Sequence, residues 1–158
     1  MKKISTLTLL FCFSFLYSQK KELKLAQKLF KQEKVSESKD ALLSNSDLIL
    51  NSNDSKLITQ YHLLVGQIAK GEKEFAKAFD NFKLAEGNNA IKEVLKSELE
   101  FLLYEIQNYA NELYNSGNYK GAASSYNLAY KMSPNKTDLL YYAAVSSING
   151  NEYKTALT

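Results

Sequence analysis

The sequence predicts an all-α fold, an α-solenoid in which antiparallel helix pairs repeat along the chain. Residues 109–134 have the pattern of a helix, a tight turn, a second helix and a stop. Two second-helix residues recur 34 positions later, Tyr119 as Tyr153 and Ala122 as Ala156. A long segment upstream carries apolar side chains at helical spacing. A unit of this size cannot bury its apolar face alone, so neighbouring units are expected to stack.

The stretch 109–134 carries the most specific pattern in the chain. Its middle, residues 115–118 (NSGN), is a turn cluster in which Gly117 can take a positive φ with little strain. The helix after the turn has small and aromatic residues at i, i+4 and i+7, and Pro134 ends it. Those three residues are Ala122, Tyr126 and Ala129.

This stretch resembles the tetratricopeptide repeat (TPR) family, whose units pair two helices through small, aromatic and proline positions. The first-helix positions of the family are filled here by Ile106, Tyr109, Ala110 and Leu113. The turn, second-helix and closing positions are filled by Gly117, Tyr119, Ala122, Tyr126, Ala129 and Pro134. The resemblance implies a right-handed solenoid of about four units, the last one incomplete.

The flanking sequence fits the same template with different clarity. A second unit is predicted near residues 59–90, a third at 91–134 and a partial fourth at 137–158. The second unit has the series Val65, Gly66, Ala69, Gly71, Phe75, Ala78, Phe82 and Ala85, and the fourth has Leu140, Ala143 and Ala144. Because the fourth unit is incomplete, we expect that the natural chain is longer or that its last helix frays.

The first unit, near residues 19–55, is the weakest, which suits a terminal repeat. Its first helix would contain Leu25, Ala26 and Leu29, and its second, running to about Leu50, would contain Val35, Ser38 and Leu42. The third unit has a lengthened first helix, starting near Ala90. The buried stripe predicted for that helix is Ile91, Val94, Leu95, Leu99, Leu102, Leu103 and Ile106.

Two sets of positions are expected to hold the helix pairs together. Small residues at Gly66, Ala110 and Ala144, and at Ala78, Ala122 and Ala156, allow the two helices of a pair to approach closely. The aromatic residues Phe82 and Tyr126 are expected to fill the groove towards the next unit.

Composition and charge argue against nucleic acid as a partner. At 158 residues, with 45% hydrophobic and 23% charged residues, the chain is ordinary for one globular domain. All twenty basic residues are lysines, and without Lys2 and Lys3 the formal charge of +3 falls to +1. A nucleic-acid binder needs a net basic face, and lysine lacks the two-pronged phosphate contact of arginine.

The amino terminus has the arrangement of a secretory signal peptide, residues 1–18. A basic start precedes the apolar segment 4–16, and the sequence becomes charged at Lys20. This segment is shorter than the roughly 20 residues that span a bilayer, so cleavage after Ser18 is expected rather than a retained anchor. The chain would then reach the periplasm or cell envelope without Cys12, its only cysteine. The start and the cleavage junction resemble exported proteins of the Bacteroidota.

Residues with catalytic or metal-binding chemistry are scattered. His62 is the only histidine, and no carboxylate or thiol stands at ligand spacing from it. The sequence has no HExxH or GxSxG motif and no glycine-rich phosphate loop. Acidic residues are expected on solvated helix faces, namely Glu72, Glu74, Glu98, Glu100 and Glu105. We therefore expect no enzyme activity, no metal and no cofactor.

The TPR resemblance implies a partner-binding groove lined by the first helices of the units. Tyrosine rings there would supply contact area, and Asn and Gln amides would bind the backbone of an extended peptide. The alternative is that some of these tyrosines pack against the lengthened helix. The implied groove residues are Leu63, Gln67, Lys70, Tyr104, Gln107, Asn111, Tyr114, Asp138, Tyr141, Val145 and Ile148.

The function indicated by the sequence is a non-catalytic protein-interaction scaffold that binds a peptide or helix in this groove. A second hypothesis is the periplasmic sensory or assembly portion of a longer envelope protein, whose carboxyl-terminal domain would lie beyond Thr158. A third is a carbohydrate- or lipid-handling accessory of the outer membrane, for which exposed tyrosines are the only indication.

Overall fold

The structure of the chain is a computed structural model that describes residues 20–151. These residues are all-helical and contain no strand, which confirms the all-α class. The export-signal prediction and the predicted residues Tyr153 and Ala156 lie outside the described part. The helices are α1 (20–31), α2 (Val35–Leu43), α3 (Ser46–Leu50), α4 (Ser55–Gly71), α5 (Phe75–Leu84), α6 (Lys92–Asn115), α7 (Tyr119–Met132) and α8 (Thr137–Asn149), with a 3-10 turn (Asn89–Ile91) before α6.

The chain divides into two compact units, one through Leu95 and one from Lys96. In the N-terminal unit, α2 and α3 pack against α4, and α4 packs against α5. One cluster of buried residues there is Leu23, Ala26, Leu42, Ile49, Leu57, Tyr61, Leu64 and Ile68. In the C-terminal unit, α7 packs against α8, and the buried apolar residues are Leu102, Ile106, Ala110, Ala122, Ala123, Tyr126, Ala129, Leu139 and Ala143.

One type of turn closes α1, α4 and α6. The residue two positions before the next helix takes a positive φ, and the residue after it donates its N–H to a carbonyl five positions back. Such a bond, for example from Glu74 to Ala69 at 2.9 Å, is the Schellman closure of a helix. The positive-φ residues are Glu33, Lys73 and Gly117, and Asn151 takes a similar φ after α8. Gly71, which the sequence pattern aligned with the turn, is instead the last residue of α4.

Glycine is the favoured residue for this turn, yet only Gly117 supplies it. We expect Glu33→Gly to raise the free energy of unfolding by about 0.5–1 kcal/mol, because a left-handed residue with a side chain is strained. Gly117→Ala should lower the free energy of unfolding by about 1 kcal/mol, because the alanine would be strained at this positive φ. A Cβ there would meet nothing within 4 Å, so a steric clash does not contribute. Urea denaturation of both variants measures the two signs, and equal signs would contradict the strain argument.

The helix pairs have the same register of small residues that the sequence pattern predicted. The residue nine positions before each second helix is small and buried in three pairs: Ala26, Gly66 and Ala110. Three positions into the second helix the residue is again small and buried: Ser38, Ala78 and Ala122. In the first pair the Ser38 hydroxyl donates to the Ala26 carbonyl at 2.9 Å, so serine replaces alanine without leaving its polar group unpaired. Ala144, which was predicted to be the small first-helix residue of the fourth repeat, is half-buried.

The two aromatic residues Phe82 and Tyr126 of the second helices make different contacts. The Phe82 ring lies against Gly66 of its own pair, where an added Cβ would stand 2.5 Å from two ring carbons. The ring therefore packs against the first helix of its own pair. The ring of Tyr126 on α7 does contact the helix that follows, because it lies 5.5 Å from the ring of Tyr142 on α8.

Several helix boundaries differ from those predicted. The second helix of the first predicted repeat, which was expected to run to about Leu50, ends at Leu43, and a separate helix, α3, begins at Ser46.

The lengthened helix predicted for the third repeat is present as α6, but its buried side is narrower than predicted. Val94 of the predicted buried stripe is 50% exposed. Leu95, Leu102 and Ile106 are buried, whereas Ile91, Leu99 and Leu103 are half-buried.

Helix α4 begins at Ser55, four residues before the predicted unit start at Thr59, because Asp54 caps it. The Asp54 carboxylate accepts a hydrogen bond from the Leu57 N–H at 3.1 Å and pairs with the Lys20 ammonium at 3.0 Å. The hydrogen bond from Lys20, and then that from Leu57, hold the pKa of Asp54 below its ordinary value.

Replacing Asp54 tests both the cap and the charge. We expect Asp54→Ala to lower the free energy of unfolding by about 1 kcal/mol at neutral pH, the usual cost of a lost cap. Because the pKa of folded Asp54 lies below that of the unfolded chain, the contribution of its charge is complete above the unfolded pKa. This contribution is lost as the pH falls through the pKa of Asp54 in the folded chain. Asp54→Asn keeps a capping oxygen, so its deficit should close in acid, and a deficit that does not change with pH would contradict the electrostatic part.

Candidate interaction surface

The predicted groove residues fall into two sets that belong to different units. Leu63, Gln67 and Lys70 lie on α4 of the N-terminal unit, and all three are half-buried. The other eight lie on α6 and α8 of the C-terminal unit, where the exposed tyrosines are found. The C-terminal unit is therefore the stronger candidate for a partner-binding surface.

The four α6 residues lie on one face of the helix, at spacings of three, four and three. Tyr104 is 60% exposed and contacts Phe101 with a ring-centroid distance of 6.5 Å. Gln107 donates its side-chain N–H to the Leu103 carbonyl at 3.0 Å, so this donor is already used within its own helix. Asn111 and Tyr114 take part in the side-chain bonds described next.

Two hydrogen bonds join α6 to its neighbours in the C-terminal unit. The Tyr126 hydroxyl on α7 donates to the Asn111 side-chain oxygen, which leaves the amide N–H₂ of Asn111 unused by that bond. The Asn149 amide at the end of α8 donates to the Tyr114 hydroxyl at 2.7 Å. The carboxyl ends of α6 and α8 therefore lie close to each other.

Helix α8 is apolar on more than its packed face. Leu139 and Ala143 are buried, whereas Tyr141 is 65% and Ile148 49% exposed. Val145 is half-buried, and Asp138 is exposed in the first turn. Contiguous exposed apolar patches mark interaction sites in soluble proteins, which makes α8 a candidate for such a site.

Sequence reasoning missed the most extended aromatic contact on this surface. Tyr142 is 46% exposed and lies between two other rings, 5.5 Å from that of Tyr126 and 5.7 Å from that of Tyr141. Burial raises the pKa of the Tyr126 hydroxyl, so that group stays protonated as a donor to Asn111. The Tyr141–Tyr142 pair was visible in the sequence, but the template assigned only one of the two to the groove.

Of the residues with catalytic chemistry, His62 and Glu72 have local partners. The Nδ1 of His62 lies 3.0 Å from the Asn81 side-chain oxygen, and its ring meets Tyr61 edge-on. Glu72 pairs with Lys39 across the N-terminal unit. Glu105 departs from the expected solvated position, because its Oε2 is buried without a hydrogen-bond partner among the described residues. No group of His, Cys, Asp and Glu in residues 20–151 could hold a metal ion.

Comparison of the chain with protein-family models, curated proteins and solved structures found no match. The TPR resemblance thus depends on the residue pattern alone. Over residues 20–151, no helix has both the length and the apolarity to cross a membrane.

Proposed function

We propose that the chain is an exported TPR-like scaffold that binds an extended peptide or a helix of a partner protein, without chemistry. The observation that carries the proposal is the pair of exposed tyrosines, Tyr104 on α6 and Tyr141 on α8, in the same compact unit. The Asn149–Tyr114 bond supports it, because it brings the two helices that would form the walls together.

The polar groups beside these rings favour a peptide over a purely apolar ligand. Asn111 keeps its amide N–H₂ and Tyr114 keeps its hydroxyl proton after their internal bonds are counted. These donors could bond the carbonyls of an extended main chain, while Tyr104 and Tyr141 contribute apolar area. The right-handed solenoid belongs to the same proposal, since it would align these helices into a groove.

A random peptide library selected on the full chain provides the probe. We expect the Tyr104→Ala, Tyr141→Ala double variant to bind the selected peptides at least 10-fold more weakly, because buried interface tyrosines commonly cost more than 1 kcal/mol each when truncated. The matched control is Leu43→Ala, Leu84→Ala, which removes two side chains of similar exposure from the N-terminal unit. An equal loss of peptide affinity in both double variants, or no loss in either, would contradict the groove assignment.

Tyr114 is a poorer choice for this test although it belongs to the predicted groove. Its ring meets that of Tyr119 at 5.2 Å and its hydroxyl accepts the Asn149 bond, so truncation would also disturb packing. Tyr104 and Tyr141 are the more exposed rings, and their loss should leave the thermal unfolding of the chain nearly unchanged.

A further inference from the structure

Helix α1 carries lysines along its entire solvent face. The five lysines lie within about 100° of the helix circumference and span about 17 Å along its axis. They are Lys20, Lys21, Lys24, Lys28 and Lys31, all exposed, and we call them the lysine stripe. The opposite face of the helix contributes Leu23 and Ala26 to the buried core. The packing of α1 therefore fixes the stripe outward.

The ammonium groups of the stripe have few acidic partners among residues 20–151. Several other lysines of the N-terminal unit pair with carboxylates across one helical turn or between helices, for example Lys77 with Glu74 and Lys39 with Glu72. Of the stripe, only Lys20 is in an ion pair within residues 20–151. The remaining four ammonium groups make no ion pair there, so their charge faces solvent uncompensated.

A cavity of about 260 Å³ adjoins the amino-terminal end of the stripe. Three lysines, Lys20, Lys24 and Lys56, line it together with Asp54 and Gln60, above Leu23 and Leu57. Cationic walls over an apolar floor suit an anionic group that is attached to hydrocarbon. The cavity thus adds a local site to the linear charge array.

We propose that the lysine stripe docks on a bilayer that contains anionic phospholipid. A straight row of like charges on one helix matches a planar anionic surface, and clusters of four to eight basic residues are typical of such contacts. Lysine is a compact point charge without the fork of arginine, which fits diffuse attraction to many headgroups rather than recognition of one phosphate. Leu25, 45% exposed at the edge of the stripe, can enter the interface.

Vesicle sedimentation of residues 19–158, the chain expected after signal cleavage, tests this docking. The vesicles are phosphatidylcholine alone or phosphatidylcholine mixed with phosphatidylglycerol. The stripe variant is Lys24→Gln, Lys28→Gln and Lys31→Gln. The matched control, Lys92→Gln, Lys96→Gln and Lys136→Gln, removes the same charge from exposed positions elsewhere. All the proteins start at Gln19, so the apolar segment 4–16 cannot hold them on the vesicles, and differences between them report the lysines alone.

We expect the stripe variant to partition on the order of 100-fold more weakly onto the anionic vesicles, and the control to partition like the unaltered chain. Raising the salt concentration should reduce the difference, because it screens exposed charges. Circular dichroism of both variants checks that α1 stays folded.

Three results would overturn the proposal. The stripe variant and the control could bind anionic vesicles equally, or all proteins could bind neutral and anionic vesicles alike. In the third result, the chain does not bind vesicles, but it binds immobilised polyglutamate and the stripe variant does not. That result would indicate an acidic protein partner instead of lipid.

Discussion

Gly66→Ala is expected to lower the free energy of unfolding by about 2 kcal/mol, although alanine is the better helix former. A Cβ at this position would lie 2.5 Å from Cδ1 and Cε1 of Phe82, closer than side-chain atoms approach in folded proteins. Phe82 is fully buried, so its ring has no room to withdraw without displacing α5 from α4. Urea denaturation measures the loss.

Gly71→Ala in the same helix provides the matched control. Gly71 is the last residue of α4, and an added Cβ there would meet nothing within 4 Å. The same substitution should therefore raise the free energy of unfolding, by up to about 1 kcal/mol, through helix propensity and the reduced entropy of the unfolded chain. Opposite signs at two glycines five residues apart would show that contact with Phe82, rather than helix propensity, decides the effect.

A second substitution tests the identity of the contact. In Phe82→Leu the ring is absent, so adding Gly66→Ala to that background should cost less than it does in the unaltered chain. A Gly66→Ala loss of the same size in both backgrounds would place the clash on another group and contradict the packing described here.

The sequence predicted the helix-pair register well because close packing leaves a direct trace in residue size. Gly66, Ala110, Ala78 and Ala122 had to be small, and each is buried at a helix contact. The turns were harder to predict, because a Schellman closure tolerates a strained Glu33 or Lys73 at a position where glycine would be the only visible signal.

Side-chain partners could not be read from periodicity. The predicted stripe of α6 included Val94, which is half-exposed, because helical spacing fixes a face but not what covers it. The contact of the Phe82 ring with Gly66 was not predicted either, since the template gives a position and not the ring's direction. On the candidate surface, Asn111 and Tyr114 were predicted to line the groove, and each already accepts one internal hydrogen bond that the sequence pattern did not indicate.

The largest loss of stability is expected for Tyr126→Ala, about 3–4 kcal/mol, measured by urea denaturation. Tyr126 is 5% exposed, contacts Tyr142 on α8 and donates its hydroxyl to Asn111 on α6, so truncation opens a cavity where three helices meet. Tyr126→Phe keeps the ring and removes only the hydrogen bond, and should cost about 1 kcal/mol. Losses of equal size in the two variants would mean that the hydroxyl, rather than ring packing, holds the C-terminal unit together. Because the same ring supports both Asn111 and Tyr142, Tyr126→Ala should also weaken peptide capture, whereas Tyr126→Phe should retain most of it.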